Sequence, residues 1–202
     1  MSTTKEGDFM RRETKATQSI KRLYCRMNLD HDAVIHKAKL LLKVYRDVMW
    51  VFMREADEFE EETFEMCNSR TLGTALAYLS DFAPTEQRKD FERKVTCMFE
   101  TQWLVELIDR AMRRVYNYPY NGKLYNEILS KAYVTAFPFT ETELLETLSL
   151  ERSVYYERKR EAVMLLGVAL WGFAIPELKS NLLENDERYS NVKYTYFTGF
   201  VG

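Results

Sequence analysis

Apolar residues recur every three or four positions over most of this chain, which is the spacing that lines one face of an α-helix. The chain also has only 7 Gly and 4 Pro among its 202 residues. This scarcity of turn-forming residues argues against a β-sandwich, a β-barrel or a glycine-rich nucleotide cradle. Because 46% of the residues are hydrophobic, there is ample apolar material for a core. The sequence therefore predicts an all-α fold, built as a helical bundle.

Shifts in composition divide the chain into four segments. We expect a flexible basic arm over residues 1–27, because this stretch is polar and rich in Lys and Arg. Residues 28–118 indicate a helical region for oligomerisation or protein interaction, and residues 119–176 indicate a helix-turn-helix. Residues 177–202 form a tail. The end of the tail, Val192–Val201, alternates aromatic residues with Thr and fits either an edge strand or an aromatic tail packed on the helices.

The longest amphipathic run lies in the second segment, and two interpretations of it are open. Its apolar stripe fits a core helix that packs lengthwise on a second long helix over Phe91–Val115. The same stripe has an a/d-like alternation, which fits a dimer seam. The acidic stretch Glu55–Glu65 that follows is typical of a solvated face and could also meet a basic partner. The stripe consists of Ile35, Ala38, Leu42, Tyr45, Met49 and Phe52.

The sequence offers no catalytic or metal-binding motif. Its 3 Cys are widely separated and its 2 His have no second ligand at a suitable spacing, so neither type indicates a zinc site. Phosphate-binding glycine loops and the H-E-x-x-H pattern do not occur. We therefore expect no enzyme activity, no catalytic residue, no metal and no cofactor.

Two further observations concern location. The polar N-terminus has no apolar stretch behind it that would make a signal peptide. The longest uncharged apolar run, Ala162–Ile175, is shorter than the ~20 residues that a membrane helix needs and continues an amphipathic helix. We expect a cytoplasmic protein with reduced thiols and no membrane partner.

The third segment has the outline of a helix-turn-helix. A capping-box sequence, Thr-x-x-Glu, begins at Thr140 and predicts a short helix over Glu141–Leu148. A turn of about three residues then leads into a longer helix, which begins at Arg152 and ends near Phe173, before Pro176. We expect apolar residues of the short helix and turn to bury against the long helix and fix the crossing angle. These residues are Leu144, Leu145, Leu148 and Leu150, which pack against Tyr155 and Ala162.

The front of the long helix carries the candidate DNA-binding residues. Arg and Lys side chains can contact phosphates or guanine edges, and Ser and Tyr hydroxyls can bond to phosphate or base. Because the whole chain has a formal charge of −2, affinity for double-stranded DNA would have to come from this local surface. The candidates, spaced three and four apart along the helix, are Arg152, Ser153, Tyr156, Lys159 and Arg160.

The stretch Leu148–Val163 resembles the recognition half of ArpU-type phage transcriptional regulators and is similar to the promoter-reading helix-turn-helix at the end of sigma factors. Their pattern has a Leu-Gly-Ile-Ser turn, then Ser-Thr-Tyr-Tyr, a Lys, and an Ala followed by an apolar tail. This sequence departs from it at Ser149, in the Gly position, and at Glu151, in place of the Ser N-cap. The similarity spans roughly residues 106–172 and implies a small phage- or prophage-encoded DNA-binding regulator, often active in late gene expression. The matching residues are Leu148, Leu150, Ser153, Tyr155, Tyr156, Lys159 and Ala162.

Three functional hypotheses are open at this point. The first is a phage-type DNA-binding regulator whose N-terminal helices form a homodimer or contact RNA polymerase. The second is a phage assembly or DNA-packaging factor, such as a small terminase subunit, which would work as a ring. The third is a helical protein that binds another protein through acidic and aromatic surfaces and does not touch DNA. A dimer favours the first over the second, and salt-dependent DNA binding separates both from the third.

Overall fold

The computed structural model describes residues 13–56, 77, 79–80, 101–135, 137 and 139–181, with side chains for 13–46, 77, 79–80, 104–135, 137 and 139–181. The helices are α1 Lys15–Arg26, α2 His31–Ala56, α3 Thr101–Tyr116, α4 Gly122–Leu129, α5 Glu141–Leu148 and α6 Arg152–Gly167. Two π-helical stretches, Ser130–Val134 and Val168–Ala174, continue α4 and α6. No strand occurs within these described ranges, and the all-α prediction is confirmed.

Helix α1 is an integral part of the fold. Thr14 caps its N-terminus by accepting a hydrogen bond from the backbone N–H of Thr17. Ile20 and Tyr24 are buried, and the Tyr24 hydroxyl donates a 2.8 Å hydrogen bond to the carbonyl oxygen of Met164 in α6. The predicted flexible arm is therefore wrong for Lys15–Arg26, because an apolar stripe lies among its basic residues. Residues 1–12 of that arm lie outside the described residues.

The amphipathic run of the second segment forms α2 and faces the interior. Ala38, Leu42 and Tyr45 are buried, and α2 packs against both α3 and α6. The core-helix interpretation is confirmed for this part of the stripe, which the fold of one chain already covers and which is not free to form a dimer seam. The side chains of Met49 and Phe52 lie outside those described.

One main core joins the helices. It draws buried side chains from α1, α2, α3, α4 and α6, whereas α5 contributes none to it. Leu41, Leu107, Leu129 and Leu166 are among its fully buried members. The core also holds Leu79, whose carbonyl oxygen accepts a 2.9 Å hydrogen bond from the indole N–H of Trp171. The predicted packing of α2 on a helix over residues 91–115 is seen for α3, and residues 91–100 lie outside the described part.

The helix that begins at Arg152 is longer than expected. It continues for 30 residues to Asn181, so Pro176 does not end it. The π-helical stretch Val168–Ala174 lies just before the proline, and such wider turns relieve the clash between a proline ring and the preceding turn. Beyond the proline, Leu178 is buried in the main core, which keeps the chain helical.

This same helix is long and apolar enough to cross a membrane by length and composition, and no second such helix occurs among the residues that the structure describes. However, 78% of its apolar window is buried inside the fold, which is how core helices pack.

Two predictions concern segments that the structure does not describe. The aromatic tail Val192–Val201 and residues 57–65 of the acidic stretch lie outside the described residues. Cys25 is a free, exposed thiol.

Candidate nucleic-acid interface

The short helix α5 begins at a complete capping box. Thr140 Oγ1 accepts a 3.3 Å hydrogen bond from the backbone N–H of Glu143, and Glu143 Oε2 accepts a 2.7 Å hydrogen bond from the backbone N–H of Thr140. These hydrogen bonds favour the charged carboxylate and hold the pKa of Glu143 below its usual value. The predicted capping box and the predicted bounds of α5 are both confirmed.

The turn after α5 has the geometry of a Schellman motif. Ser149 adopts the left-handed conformation, with φ 51° and ψ 44°. Its backbone N–H donates to the carbonyl of Glu146, and the backbone N–H of Leu150 donates to the carbonyl of Leu145. Glu151 then precedes α6 and makes no side-chain capping bond. The two positions that depart from the ArpU-type pattern are thus the left-handed residue of the turn, Ser149, and the N-cap residue of α6, Glu151.

A small apolar cluster separate from the main core joins the two helices. Leu144 of α5, Tyr155 of α6 and Ile128 of α4 are buried in it. Ala162, which was expected here, belongs to the main core instead. It lies about 10 Å further along α6 than Tyr155, given ~1.5 Å per residue, beyond the reach of the short α5. Partly buried apolar residues complete the small cluster: Leu124, Ala132, Leu145, Leu148 and Leu150.

Four of the five candidate residues share one exposed face of α6. Arg152, Ser153, Tyr156 and Arg160 are exposed, with 48% of Tyr156 accessible, and their spacing places them on the same side of the helix. The adjacent Tyr155 is buried under α5. We call Arg152, Ser153, Tyr156 and Arg160 the α6 front face.

Lys159 does not belong to the α6 front face. Its ammonium lies 5.0 Å from the ring centroid of Tyr133 and 5.5 Å from that of Tyr155, which are cation–π distances. Burial lowers the pKa of Lys159. Of the two basic residues expected at this level of the helix, the structure places Arg160 on the exposed face and Lys159 against aromatic rings.

Glu141 in the first turn of α5 contacts two residues of the α6 front face. Its Oε1 lies 2.7 Å from Nε of Arg152 in an ion pair, and its Oε2 accepts a 2.8 Å hydrogen bond from the Tyr156 hydroxyl. The sequence pattern does not predict this contact, because the partners belong to different helices and meet only through the crossing angle between them. The front face therefore has an acidic residue built into its edge.

The opposite side of α6 carries a buried carboxylate. Glu161 is 1% exposed and accepts hydrogen bonds from the hydroxyls of Thr17 and Tyr125 at 2.9 and 2.8 Å. Arg158 pairs with it at 2.7 Å, and the Thr14 hydroxyl also donates to it. This cluster ties α1 and α4 to the back of α6. The only sequence signal for it is a Glu directly before the apolar run of α6.

In the described part of the chain, no group of three His, Cys, Asp or Glu side chains is arranged to hold a metal ion. Comparison of the chain with protein-family models, with curated proteins and with solved structures finds no match.

Proposed function

We propose that this chain binds double-stranded DNA through α5 and α6 and acts as a transcriptional regulator of the phage or prophage type. The observation that carries the proposal is the α6 front face, which is exposed on the second helix of a tight helix-turn-helix. Three of its four residues, Arg152, Tyr156 and Arg160, have long side chains that suit contact with DNA, and Ser153 adds a hydroxyl.

The order of these residues along α6 suggests which of them contact bases and which contact phosphates. Arg152 and Ser153 lie in the first turn of the helix, which in helix-turn-helix proteins is the part closest to the base edges. Arg160 is about 12 Å further along the helix axis, at ~1.5 Å per residue, and suits a phosphate contact. Tyr156 lies between them and can use its hydroxyl or its ring.

The charge around this surface implies weak binding by a single chain. Glu141 contacts the front face, Glu146 and Glu151 are exposed nearby in the sequence, and the chain as a whole carries −2. Negative charge next to a phosphate contact lowers affinity, because it repels the DNA backbone and offsets part of the attraction to Arg and Lys. A second copy of the chain or a helper protein such as RNA polymerase would supply the missing affinity through avidity.

The proposal is tested by selecting bound fragments from a random duplex library with the full-length protein, then titrating labelled duplexes at 50 and 200 mM salt. Arg160→Ala should weaken binding to all duplexes to a similar degree and reduce the salt slope by about 1, since one phosphate contact is lost. Lys39→Ala, which removes an exposed lysine of α2, is the matched control for net charge.

Two results would contradict DNA binding through α6. One is the absence of duplex binding by the wild type at 50 mM salt. The other is equal affinities for wild type, Arg160→Ala and Lys39→Ala. A selected sequence bound by a dimer favours regulation, whereas a ring of many subunits favours a packaging factor.

A protein-interaction role is the second candidate, and one observation favours it. Phe137 is 85% exposed and Phe139 is 38% exposed, just before α5. Two exposed aromatic side chains close together are typical of a protein-binding surface. Capture of partners from a host lysate on the immobilised full-length protein, repeated with Phe137→Ala and the control Tyr120→Ala, would test this role. Loss of one defined partner in Phe137→Ala alone would support it.

A further inference from the structure

We infer that Glu141 is a positioning residue that holds the Arg152 guanidinium ready to read a guanine base. The inference rests on the proposed function and extends it to a residue outside the α6 front face. Glu141 belongs to α5, yet its two carboxylate oxygens contact Arg152 and Tyr156 separately. A single side chain of α5 thus contacts two long side chains of the α6 front face.

The carboxylate of Glu141 is itself held in place. Its backbone is in the first turn of a helix fixed by the Thr140–Glu143 capping box. Its Oε2 accepts the 2.8 Å hydrogen bond from Tyr156, whose ring contacts the ring of the buried Tyr155 edge-on. Both ends of the contact are therefore anchored to helices whose crossing is fixed by the small apolar cluster.

The contact leaves most of the Arg152 side chain accessible. The closest approach of Glu141 to the guanidinium is at Nε, and the Arg152 side chain is still 73% exposed. The two terminal nitrogens, Nη1 and Nη2, are the pair that can donate to O6 and N7 of guanine. The Tyr156 ring, with its centroid 6.0 Å from the guanidinium carbon, limits the same side chain from a second direction. An arginine restrained in this way loses less conformational freedom when it binds a base.

A competing role for Glu141 has a different outcome. If the carboxylate merely occupies Arg152 in place of a DNA phosphate, its removal should strengthen binding to every duplex. If it positions Arg152, its removal should reduce the preference for one guanine. The structure favours positioning, because the Arg152 side chain stays 73% exposed while it is paired with Glu141.

The experiment uses the full chain and the best duplex from the library selection. Each guanine in turn is replaced by 7-deazaguanine, which keeps base pairing and lacks the N7 acceptor. For the wild type we expect one replacement to weaken binding about tenfold. Arg152→Ala and Glu141→Gln should show no more than about a twofold loss at that guanine. Glu146→Gln, which removes the same charge from an exposed position of α5, should keep the tenfold loss.

Tyr156→Phe is the second variant, since it removes the hydroxyl that holds Oε2 of Glu141 and leaves Arg152 and Glu141 unchanged. It should reduce the tenfold loss to an intermediate value. Thermal unfolding of each variant verifies that the helices are intact.

The inference is overturned if Glu141→Gln discriminates the replaced guanine as well as the wild type does, whatever its overall affinity. It is also overturned if the wild type binds the duplex but no guanine replacement matters. Both results leave DNA binding itself standing. Failure of the proposed function is a separate observation, namely that the wild type binds no duplex at 50 mM salt, and the inference then fails with it.

Discussion

The hydroxyl of Tyr125 donates a 2.8 Å hydrogen bond to Oε2 of Glu161, and this contact joins α4 to the side of α6 opposite the α6 front face. Tyr125 is fully buried and Glu161 is 1% exposed, so water has no access to replace the bond. Burial raises the pKa of Tyr125 to about 12, and the phenol remains a donor at physiological pH. The orientation of α6 therefore depends on a hydrogen bond to a buried charge.

Removal of this hydroxyl should destabilise the protein measurably. For Tyr125→Phe we expect a loss of about 1.5–3 kcal/mol in the free energy of unfolding, since hydrogen bonds to charged groups are the stronger class. Tyr118→Phe is the matched control, because its hydroxyl donates a 3.0 Å bond to the neutral Ser19 Oγ. That variant should lose only about 0.5–1.5 kcal/mol. Urea unfolding measures both, and equal losses would contradict the role of the Glu161 charge.

The same cluster predicts how stability changes in acid. Burial alone raises the pKa of Glu161, but the bonds from Thr14, Arg158 and Tyr125 outweigh it and hold the pKa below its usual value of 4.5. A carboxylate whose pKa is lowered by folding stabilises the fold above its unfolded pKa and loses that contribution as pH falls through the folded value. Wild type should therefore lose stability below about pH 4.5 more steeply than Glu161→Gln. The prediction is contradicted if the free energies of unfolding of wild type and Glu161→Gln change by the same amount between pH 3 and 7.

Ser149→Gly should stabilise the turn between α5 and α6. Ser149 has a φ of 51°, a conformation that Gly adopts without the steric cost of a side chain. We expect a gain of about 0.5–1 kcal/mol in the free energy of unfolding. Ser130→Gly is the control, since Ser130 has helical angles of −57° and −56° and should lose a similar amount. The opposite signs are the test, and a loss in both variants would mean that the Ser149 conformation carries no strain.

Leu42→Ala tests the place of α2 in the main core. Leu42 is 1% exposed, and truncating a buried Leu leaves a cavity that costs about 2–5 kcal/mol. The neighbouring Lys43 is exposed, so Lys43→Ala should change stability by no more than about 0.5 kcal/mol. Thermal or urea unfolding of the two variants checks the difference. A loss below about 0.5 kcal/mol for Leu42→Ala would place α2 outside the core.

The parts of the fold that the sequence predicts best are those with local causes. The capping box at Thr140, the end of α5 at Leu148 and the start of α6 at Arg152 depend on side chains within a few residues of each boundary. The exposed face of α6 follows from helical spacing in the same way.

The features that sequence reasoning missed depend on contacts between distant residues. Glu161 is held in part by Thr14, which lies 147 positions away in the chain. Helix α1 looked like a basic arm because the surfaces that cover Ile20 and Tyr24 belong to later helices. The helix runs past Pro176 because Leu178 is buried in the core and Lys179 bonds to Ser80. Propensity gives a weak expectation at such places, and tertiary packing overrides it.

The continuous helix from Arg152 to Asn181 also limits how modular this protein can be. Its first turns carry the α6 front face, while Met164, Leu166 and Leu170 further along are buried among α1, α2 and α3. A fragment that begins at residue 119 would lack those three helices, so the apolar side of the long helix would be exposed to water. In this chain, the surface that we propose binds DNA and the apolar stretch that anchors it in the core are two parts of one helix, so neither can be transplanted without the other.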